Sequence, residues 1–290
     1  MTDHTMPPVI RHPAVRYHGG KFRLASWIIS HFPAHRCYVE PSGGGASVLL
    51  KKEPSEAEVY NDLDGDVVNL FRVLRHPETS RALSEACVLT PYSRDEFMQA
   101  YAPADNPVEQ ARRLVVRATM GFGSAGATKG KTGFSPDTKR NCATAQRIWA
   151  RYPDNLAAVG SRFAGVLVEN RDAIHCMRDH DTPSTLHFVD PPYVPDTRVD
   201  VDKNRTYRFE MTCDEHAELL RVLNTLQGMV VICGYNSDLY NDMLTGWKQV
   251  SKTTAANGFS GSVQRTECLW INPAAQQKKE KTMATYRNEQ

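Results

Sequence analysis

The sequence predicts a doubly wound α/β fold. Its sheet is expected to be mostly parallel, with a C-terminal antiparallel hairpin and a mostly helical insertion. Three observations carry that expectation. Short apolar runs rich in β-branched residues alternate with stretches of helical spacing, the pattern of strands joined by crossover helices. A glycine run follows the first of these strands and an acid ends the second, as at the carboxyl edge of sheets that bind nucleotides. In mid-chain a basic, glycine-rich stretch interrupts the alternation, which then resumes.

The elements follow in order. Leu24 to Phe32 suits a short helix, and "CYVE" (Cys37 to Glu40) a short strand. Gly43 to Gly45 come next, then "ASVLLKK" (Ala46 to Lys52), read as a helix start. "AEVYND" (Ala57 to Asp62) is the second strand. A helix from Asp64 to Arg75 places Val67, Val68, Leu70, Phe71 and Leu74 at helical spacing. Ser93 to Phe97 fits a capping box, and Pro107 to Met120 an amphipathic helix. Gly121 to Asn141 holds almost no core residues, and a loop of that length in a compact chain is usually functional or mobile. After further helical sequence, strands are expected at Gly165 to Asn170, Thr185 to Asp190 and Met229 to Cys233. A capping box at Thr212 to Glu215 opens a helix between the last two. "NGFSG" separates two strand-like stretches within Lys248 to Asn272, the signature of a terminal hairpin. The domain plan is a discontinuous domain, residues 1–82 and 163–273, with an insertion at 83–162 and a polar tail at 274–290. The "KKEK" of that tail (Lys278 to Lys281) is expected to be solvated and disordered.

The chain has 290 residues, of which 41% are hydrophobic and 23% charged, so a substantial core is available. No apolar run approaches the roughly 20 residues that cross a bilayer. The opening "MTDHTMPPVIRHP" lacks an apolar signal core and reads as a short flexible leader. The seven cysteines are scattered, with no CxxC and no Cys/His cluster. That pattern predicts neither a disulfide framework nor a metal site, and a reduced, cytoplasmic setting. Charge is unevenly spread. Arg112, Arg113, Arg117, Lys129, Lys131, Lys139, Arg140, Arg147 and Arg151 face a single acid, Asp137, in a chain whose overall balance is only +2. Such a segment reads either as a polyanion-facing surface or as a set of solvated helix faces.

Three features carry chemistry. "EPSGGGAS" (Glu40 to Ser47) lets backbone approach a ligand closely, though a glycine run alone also makes an ordinary turn. It is not a phosphate-binding loop, because no Gly-Lys-Ser/Thr follows. Asp62 stands where an acid accepts hydrogen bonds from ribose hydroxyls, or caps the next helix, a role open to Asp64 as well. In "FVDPPYVP" (Phe188 to Pro195) an acid, two prolines and an aromatic residue end an apolar strand. Proline donates no backbone hydrogen bond and fixes φ, so the strand cannot run on through Pro191 and Pro192.

"DPPY" at Asp190 to Tyr193 resembles the catalytic motif of amino-group methyltransferases that use S-adenosylmethionine, in the variant typical of adenine N6 in DNA. "RYHGGK" (Arg16 to Lys21) is similar to the family's "KWAGGK"-type motif, "VEPSGGGASV" to its "VEPFxGxGSV", and "YNDLD" to its acidic motif. Their order, over roughly Arg16 to Asn272, is that of the Dam-like alpha group (D12 class) of DNA adenine methyltransferases. Tyr17 replaces the family's Trp and keeps an aromatic face. Ser42 replaces Phe, so one apolar wall is missing or supplied elsewhere. Ala46 replaces the last glycine, which is tolerable if that position needs no positive φ.

The resemblance implies a class I S-adenosylmethionine-dependent methyltransferase fold in the discontinuous domain. It also implies a cofactor site lined by Tyr17, Lys21, Glu40, Gly44, Asp62 and Asp190, with Lys21 near the methionine carboxylate and Glu40 orienting the glycine loop. Asp172 is a further contact for the cofactor's adenine, or simply a helix cap. Asp190 and the Pro191 carbonyl would each accept one N6 hydrogen bond, Pro192 would stiffen the turn, and Tyr193 would stack on a flipped base. The insertion would be the DNA-reading module, with Lys129, Lys131, Lys139 and Arg140 on phosphates. No metal is needed, the partner is double-stranded DNA, and a monomer suffices. Two alternatives remain: amino-group methylation of RNA or of protein glutamine, and a DNA-binding relative with impaired catalysis. Cytosine C5 methylation needs a cysteine nucleophile, and no Pro-Cys pair occurs.

Overall fold

The computed structural model describes residues 10, 12–128, 131–136, 138, 145–198, 207–258 and 261–288. Seven strands form one sheet in the order β3-β2-β1-β4-β5-β7-β6. They are β1 (Cys37–Glu40), β2 (Ala57–Asn61), β3 (Val166–Glu169), β4 (Thr185–Val189), β5 (Met229–Gly234), β6 (Lys248–Gly258) and β7 (Gly261–Ile271). β1 to β5 pair in parallel, whereas β7 runs antiparallel to both β5 and β6. This is the mixed α/β sheet with an antiparallel C-terminal hairpin that the sequence predicts. From β1 the chain winds outward to β2 and β3, then returns on the other side of β1 to lay down β4 and β5. The reversal leaves a crevice between the carboxyl ends of β1 and β4, where ligands bind in open α/β sheets. Glu40 ends β1 and Asp190 follows β4, so the topology alone brings two motifs distant in sequence to one place.

Helix α1 (Ala25–Ile29) precedes β1; between strands lie α2 (Gly65–Arg75), α3 (Pro77–Leu89), α4 (Arg94–Gln99), α5 (Pro107–Met120) and α6 (Ala145–Phe163), then α7 (Ala173–Asp179), α8 (Cys213–Leu223) and α9 (Asp238–Met243). Their starts follow local chemistry. Asp64 caps α2 by accepting from the Asp66 N–H, and Thr212 and Glu215 close a full capping box on α8. At α4 only half the box forms: Ser93 accepts from the Glu96 N–H, while the Glu96 carboxylate turns to Arg112. Helices α2 to α6 lie between β2 and β3 in sequence and share the main core with the sheet. Phe71 of α2 stacks on Phe163 of α6 at 4.3 Å between centroids, and Tyr60 of β2 packs beside both. Burying each such ring contributes about 1.5–3 kcal/mol. The boundary expected at residue 83 falls inside α3, a helix the sequence reading did not anticipate.

Two expectations fail. Ala46 to Lys52 forms successive turns, with Leu50 donating to Ala46 and Lys52 to Val48, instead of a regular helix. Ala46 itself has φ of 51°, a left-handed conformation that breaks any helical run and that this position was expected not to need. The polar tail is also ordered: α10 spans Pro273–Asn288. Its start is anchored because Asn272 accepts from the Ala275 N–H at 2.9 Å, and Ala275 is buried against β5. No helix of the described residues is long and apolar enough to cross a membrane.

Candidate active site

A cavity of about 250 Å³ opens at the carboxyl edge of the sheet. Tyr17, Lys21, Glu40, Gly44, Asp62, Asp190, Pro191 and Pro192, drawn from four separate sequence motifs, all line it. The Tyr193 ring is not among the lining residues.

One half of the cavity is built from backbone. Gly44 has φ of 47°, and a Cβ on it would stand 2.8 Å from the Tyr17 ring, so the turn and the aromatic wall exist together only with glycine there. The Gly44 N–H donates to Asp62 Oδ2 at 2.8 Å, and the Asp64 N–H donates to Oδ1 at the same distance. Asp64, not Asp62, caps α2; Asp62 pins the glycine turn instead. Burial pushes the Asp62 carboxyl up to about 6, against the lowering effect of those N–H donors. Tyr60 donates to the Gly44 carbonyl at 2.7 Å from below the turn.

Glu40 Oε1 accepts from the Tyr38 hydroxyl at 2.7 Å and from the Leu49 N–H at 2.9 Å, tying the chain after the glycines to β1. Its Oε2 is buried in the cavity wall without a hydrogen-bond partner, and burial pushes the carboxyl up to about 8. An orphaned polar oxygen beside a glycine cradle is a fitting place for a polar ligand to complete a bond. Asp172 caps α7 by accepting from the His175 N–H at 3.0 Å and also borders the cavity, so both roles weighed for it are geometrically open.

The other half is ionic. Lys21 pairs with Asp190 Oδ1 at 3.0 Å, its side chain only 6% exposed. The ammonium also donates to the Gly19 carbonyl at 2.8 Å and lies 4.7 Å from the centre of the Tyr193 ring. Burial opposes the charge on this lysine, but the Asp190 and Glu267 carboxylates outweigh it and hold the ammonium well above the ordinary range. Burial raises the Asp190 carboxyl, with Lys21 opposing. The cation thus pairs with the motif's own acid while also lining the cavity in which the sequence reading expected it beside a cofactor carboxylate. Tyr193 is half-buried: its hydroxyl donates to Glu267 at 2.5 Å and its ring meets Tyr235 edge-on at 4.6 Å.

With this geometry in view, the family model of the D12 class N6 adenine-specific DNA methyltransferases matches residues 17–257. The chain belongs to that family. Among curated relatives, a DNA adenine methylase of Serratia marcescens is 33% identical over 61 residues, covering 21% of this chain and 22% of that protein. Another from Haemophilus influenzae is 33% identical over 73 residues, 24% of this chain and 25% of that one. These alignments thus span a quarter or less of the relatives' own length. A solved structure of a precorrin 8W decarboxylase from Methanobacterium thermoautotrophicum aligns with 86% of this chain and 89% of its own, at 10% identity and a TM-score of 0.31, and carries no argument.

The cavity has further lining residues that motif reading missed. Tyr207, Arg208, Phe209 and Met211 line the same cavity. Phe209 and Met211 supply apolar surface to a pocket in which Ser42 stands in the place of the family's Phe. Arg208 bridges Asp64 and Asp66 at 2.8 and 2.9 Å, fastening this segment over the start of α2. The Tyr207 hydroxyl would stand 2.4 Å from a Cβ on Gly19, so the glycine of the N-terminal motif admits that ring. Only "YRFEM", an aromatic-rich run before the Thr212 cap, hints at this in sequence.

The basic segment is also corrected in part. Arg112 pairs with Glu96 and Glu109, Arg113 with Glu109, and Arg117 with Asp66. Arg112 and Arg117 tie α5 to α4 and α2, Arg113 pairs within α5, and the three are not a free cationic face. Lys131 is exposed, whereas Lys129, Lys139 and Arg140 lie outside the described residues. Among the described residues no group of three His, Cys, Asp or Glu side chains is arranged to hold a metal ion.

Proposed function

We propose that this chain transfers a methyl group from S-adenosylmethionine to N6 of an adenine flipped out of double-stranded DNA. The observation that carries the reading is the meeting of the glycine turn, Asp62 and the Lys21–Asp190 pair around one cavity. Family membership gives the reaction class, and the activity and substrate of this chain are inferred from it together with the site.

The cofactor, when bound, supplies an electrophilic sulfonium methyl. Asp62, with Tyr17 and Gly44, would hold its nucleoside, and the buried Glu40 oxygen would take a donor from it. Asp190 keeps one carboxylate oxygen on Lys21, which leaves the other to accept an N6 hydrogen. The amino lone pair is conjugated into the purine ring, so a fixed acceptor that favours charge developing on nitrogen lowers the barrier. The Pro191 carbonyl is the second acceptor, and Pro192 limits its freedom to move. Much of the rate arises from holding nitrogen and methyl in line at about 3–3.5 Å. Tyr193 supports the purine pocket. The resident ammonium of Lys21 favours the ionised form of Asp190, against the effect of burial.

The insertion at residues 83–162 would read DNA, with residues 1–82 and 163–273 forming the catalytic part, and Lys129, Lys131, Lys139 and Arg140 meeting phosphates. Association with DNA in the cytoplasm follows from this substrate. Labelled S-adenosylmethionine incubated with DNA, RNA and protein in parallel tests the reading. Label at adenine N6 in duplex DNA is expected. Label confined to RNA or to glutamine would replace the substrate, and the absence of label from all DNA would end the proposal.

A further inference from the structure

The terminal hairpin reaches the acceptor site through one side chain. On β7, Cys268 pairs with Gly234 at the end of β5, which sets the preceding residue, Glu267, beside Tyr235 at the sheet's carboxyl edge. Glu267 is directly across the ladder from Lys252 on β6. Yet its carboxylate accepts the Tyr193 hydroxyl at 2.5 Å, while the Lys252 ammonium lies 5.9 Å from the Trp27 ring centre. Tyr193 is thereby gripped at three points: its hydroxyl by Glu267, its edge by Tyr235 at 4.6 Å, and its face by Lys21 at 4.7 Å. Tyr235 is itself held by Arg265, which donates to its hydroxyl at 3.2 Å. The last link is the Lys21–Asp190 pair at 3.0 Å.

We propose, resting on the methyl-transfer reading above, that Glu267 is a positioning residue: by accepting the Tyr193 hydroxyl it fixes that ring under the Lys21 ammonium and so sets the Asp190 carboxylate. The phenol is half-buried, and a charged acceptor gives it a shorter, stiffer bond than a neutral one would. Without that bond the ring keeps only non-directional contacts, and it can slide laterally beneath Lys21. The acid that receives the N6 hydrogen then shifts with the cation it is paired to. Glu267 itself is not among the residues that line the cavity, so its action on the site runs through Tyr193. Burial and the neighbouring carboxylates raise the Tyr193 hydroxyl well above its ordinary range, so it remains a donor throughout.

The test uses the full chain, S-adenosylmethionine and unmethylated genomic duplex DNA. Single-turnover transfer is measured for the wild type, Glu267→Ala, Glu267→Gln, Tyr193→Phe and the double variant Glu267→Ala/Tyr193→Phe. Glu267→Ala and Tyr193→Phe are each expected to slow transfer by about tenfold to hundredfold, the effect of misplacing a reacting group by about 1 Å. Affinity for S-adenosylmethionine should stay within about twofold, because the loss is confined to the chemical step. The double variant should be no slower than the slower single one, since both remove the same bond. Glu267→Gln, which retains an acceptor oxygen, should recover most of the rate. Wild-type speed in Glu267→Ala overturns the inference, as do losses that multiply in the double variant, a Gln variant no better than Ala, or a loss of cofactor affinity equal to the loss of rate. A wild type that transfers nothing to DNA refutes the methyl-transfer reading itself, an outcome distinct from all of these.

Discussion

Replacing Lys21 by methionine keeps the apolar stem of the side chain and removes the cation paired with Asp190 among the described residues. At 3.0 Å, and with an effective dielectric of about 20, opposite unit charges attract by about 5.5 kcal/mol, a ceiling for the contact. Carboxylates beside a cation usually shift by about 1–3 pKa units, or about 1.4–4 kcal/mol. The Asp190 carboxyl already stands above its ordinary value, because burial outweighs the opposing pull of Lys21. Without Lys21 nothing offsets burial, so the carboxyl rises further.

The proposed chemistry needs Asp190 ionised, so we predict that the acid limb of the kcat profile moves to higher pH by about 1–3 units. Transfer near neutrality should fall by about tenfold or more and recover toward alkaline pH. Saturating S-adenosylmethionine removes the contribution of Asp62, whose own titration at about 6 acts on cofactor binding. The assay is single-turnover labelling of DNA from pH 5 to 10, with circular dichroism confirming the fold at each point. An acid limb that stays in place in Lys21→Met, or a uniform loss without recovery, would refute the role given to this pair.

Asp62→Asn should weaken S-adenosylmethionine binding by about tenfold to hundredfold, the effect of losing a charged acceptor, and calorimetry reads it. In the wild type the same affinity should fall as pH drops through about 6, where Asp62 takes up a proton. The stability contribution of this group has the opposite sign. Its folded value lies above the unfolded 3.8, so acidification from about 6 toward 3.8 stabilises the apo fold through Asp62 while releasing cofactor. Affinity that is flat or rising in that window would contradict the assignment. Ala46→Gly removes a left-handed alanine worth about 1–2 kcal/mol of strain, offset by about 0.4–1 kcal/mol of unfolded-state entropy, so Tm should rise by up to about 3 °C. A lower Tm would mean that the alanine methyl is needed in the packing around it. Replacing Lys129, Lys131, Lys139 and Arg140 by alanine together should shallow the plot of log affinity for DNA against log salt by about 0.9 per lost phosphate contact. An unchanged slope would move the DNA surface elsewhere.

What the sequence determined by itself was local. The strands at Cys37–Glu40, Thr185–Val189 and Met229–Gly234 and the helix at Pro107–Met120 were legible because apolar period, capping side chains and prolines act within a few residues. The glycine turn, Asp62 and Asp190 were legible as types of chemistry at the carboxyl ends of strands, and the parallel sheet then brought them around one cavity. Tertiary structure alone decided whom each charged group meets. Lys21 chose Asp190, Tyr193 reached Glu267 across 74 residues, Arg208 clamped Asp64 and Asp66, and the arginines of α5 turned inward to Asp66, Glu96 and Glu109. Long side chains have no intrinsic direction along the sequence, and their partners are set by which strands and helices come to lie side by side. The same holds for Ala46, pushed into a conformation that glycine favours because the turn before it and the Leu49 tether behind it are both anchored to β1 and β2.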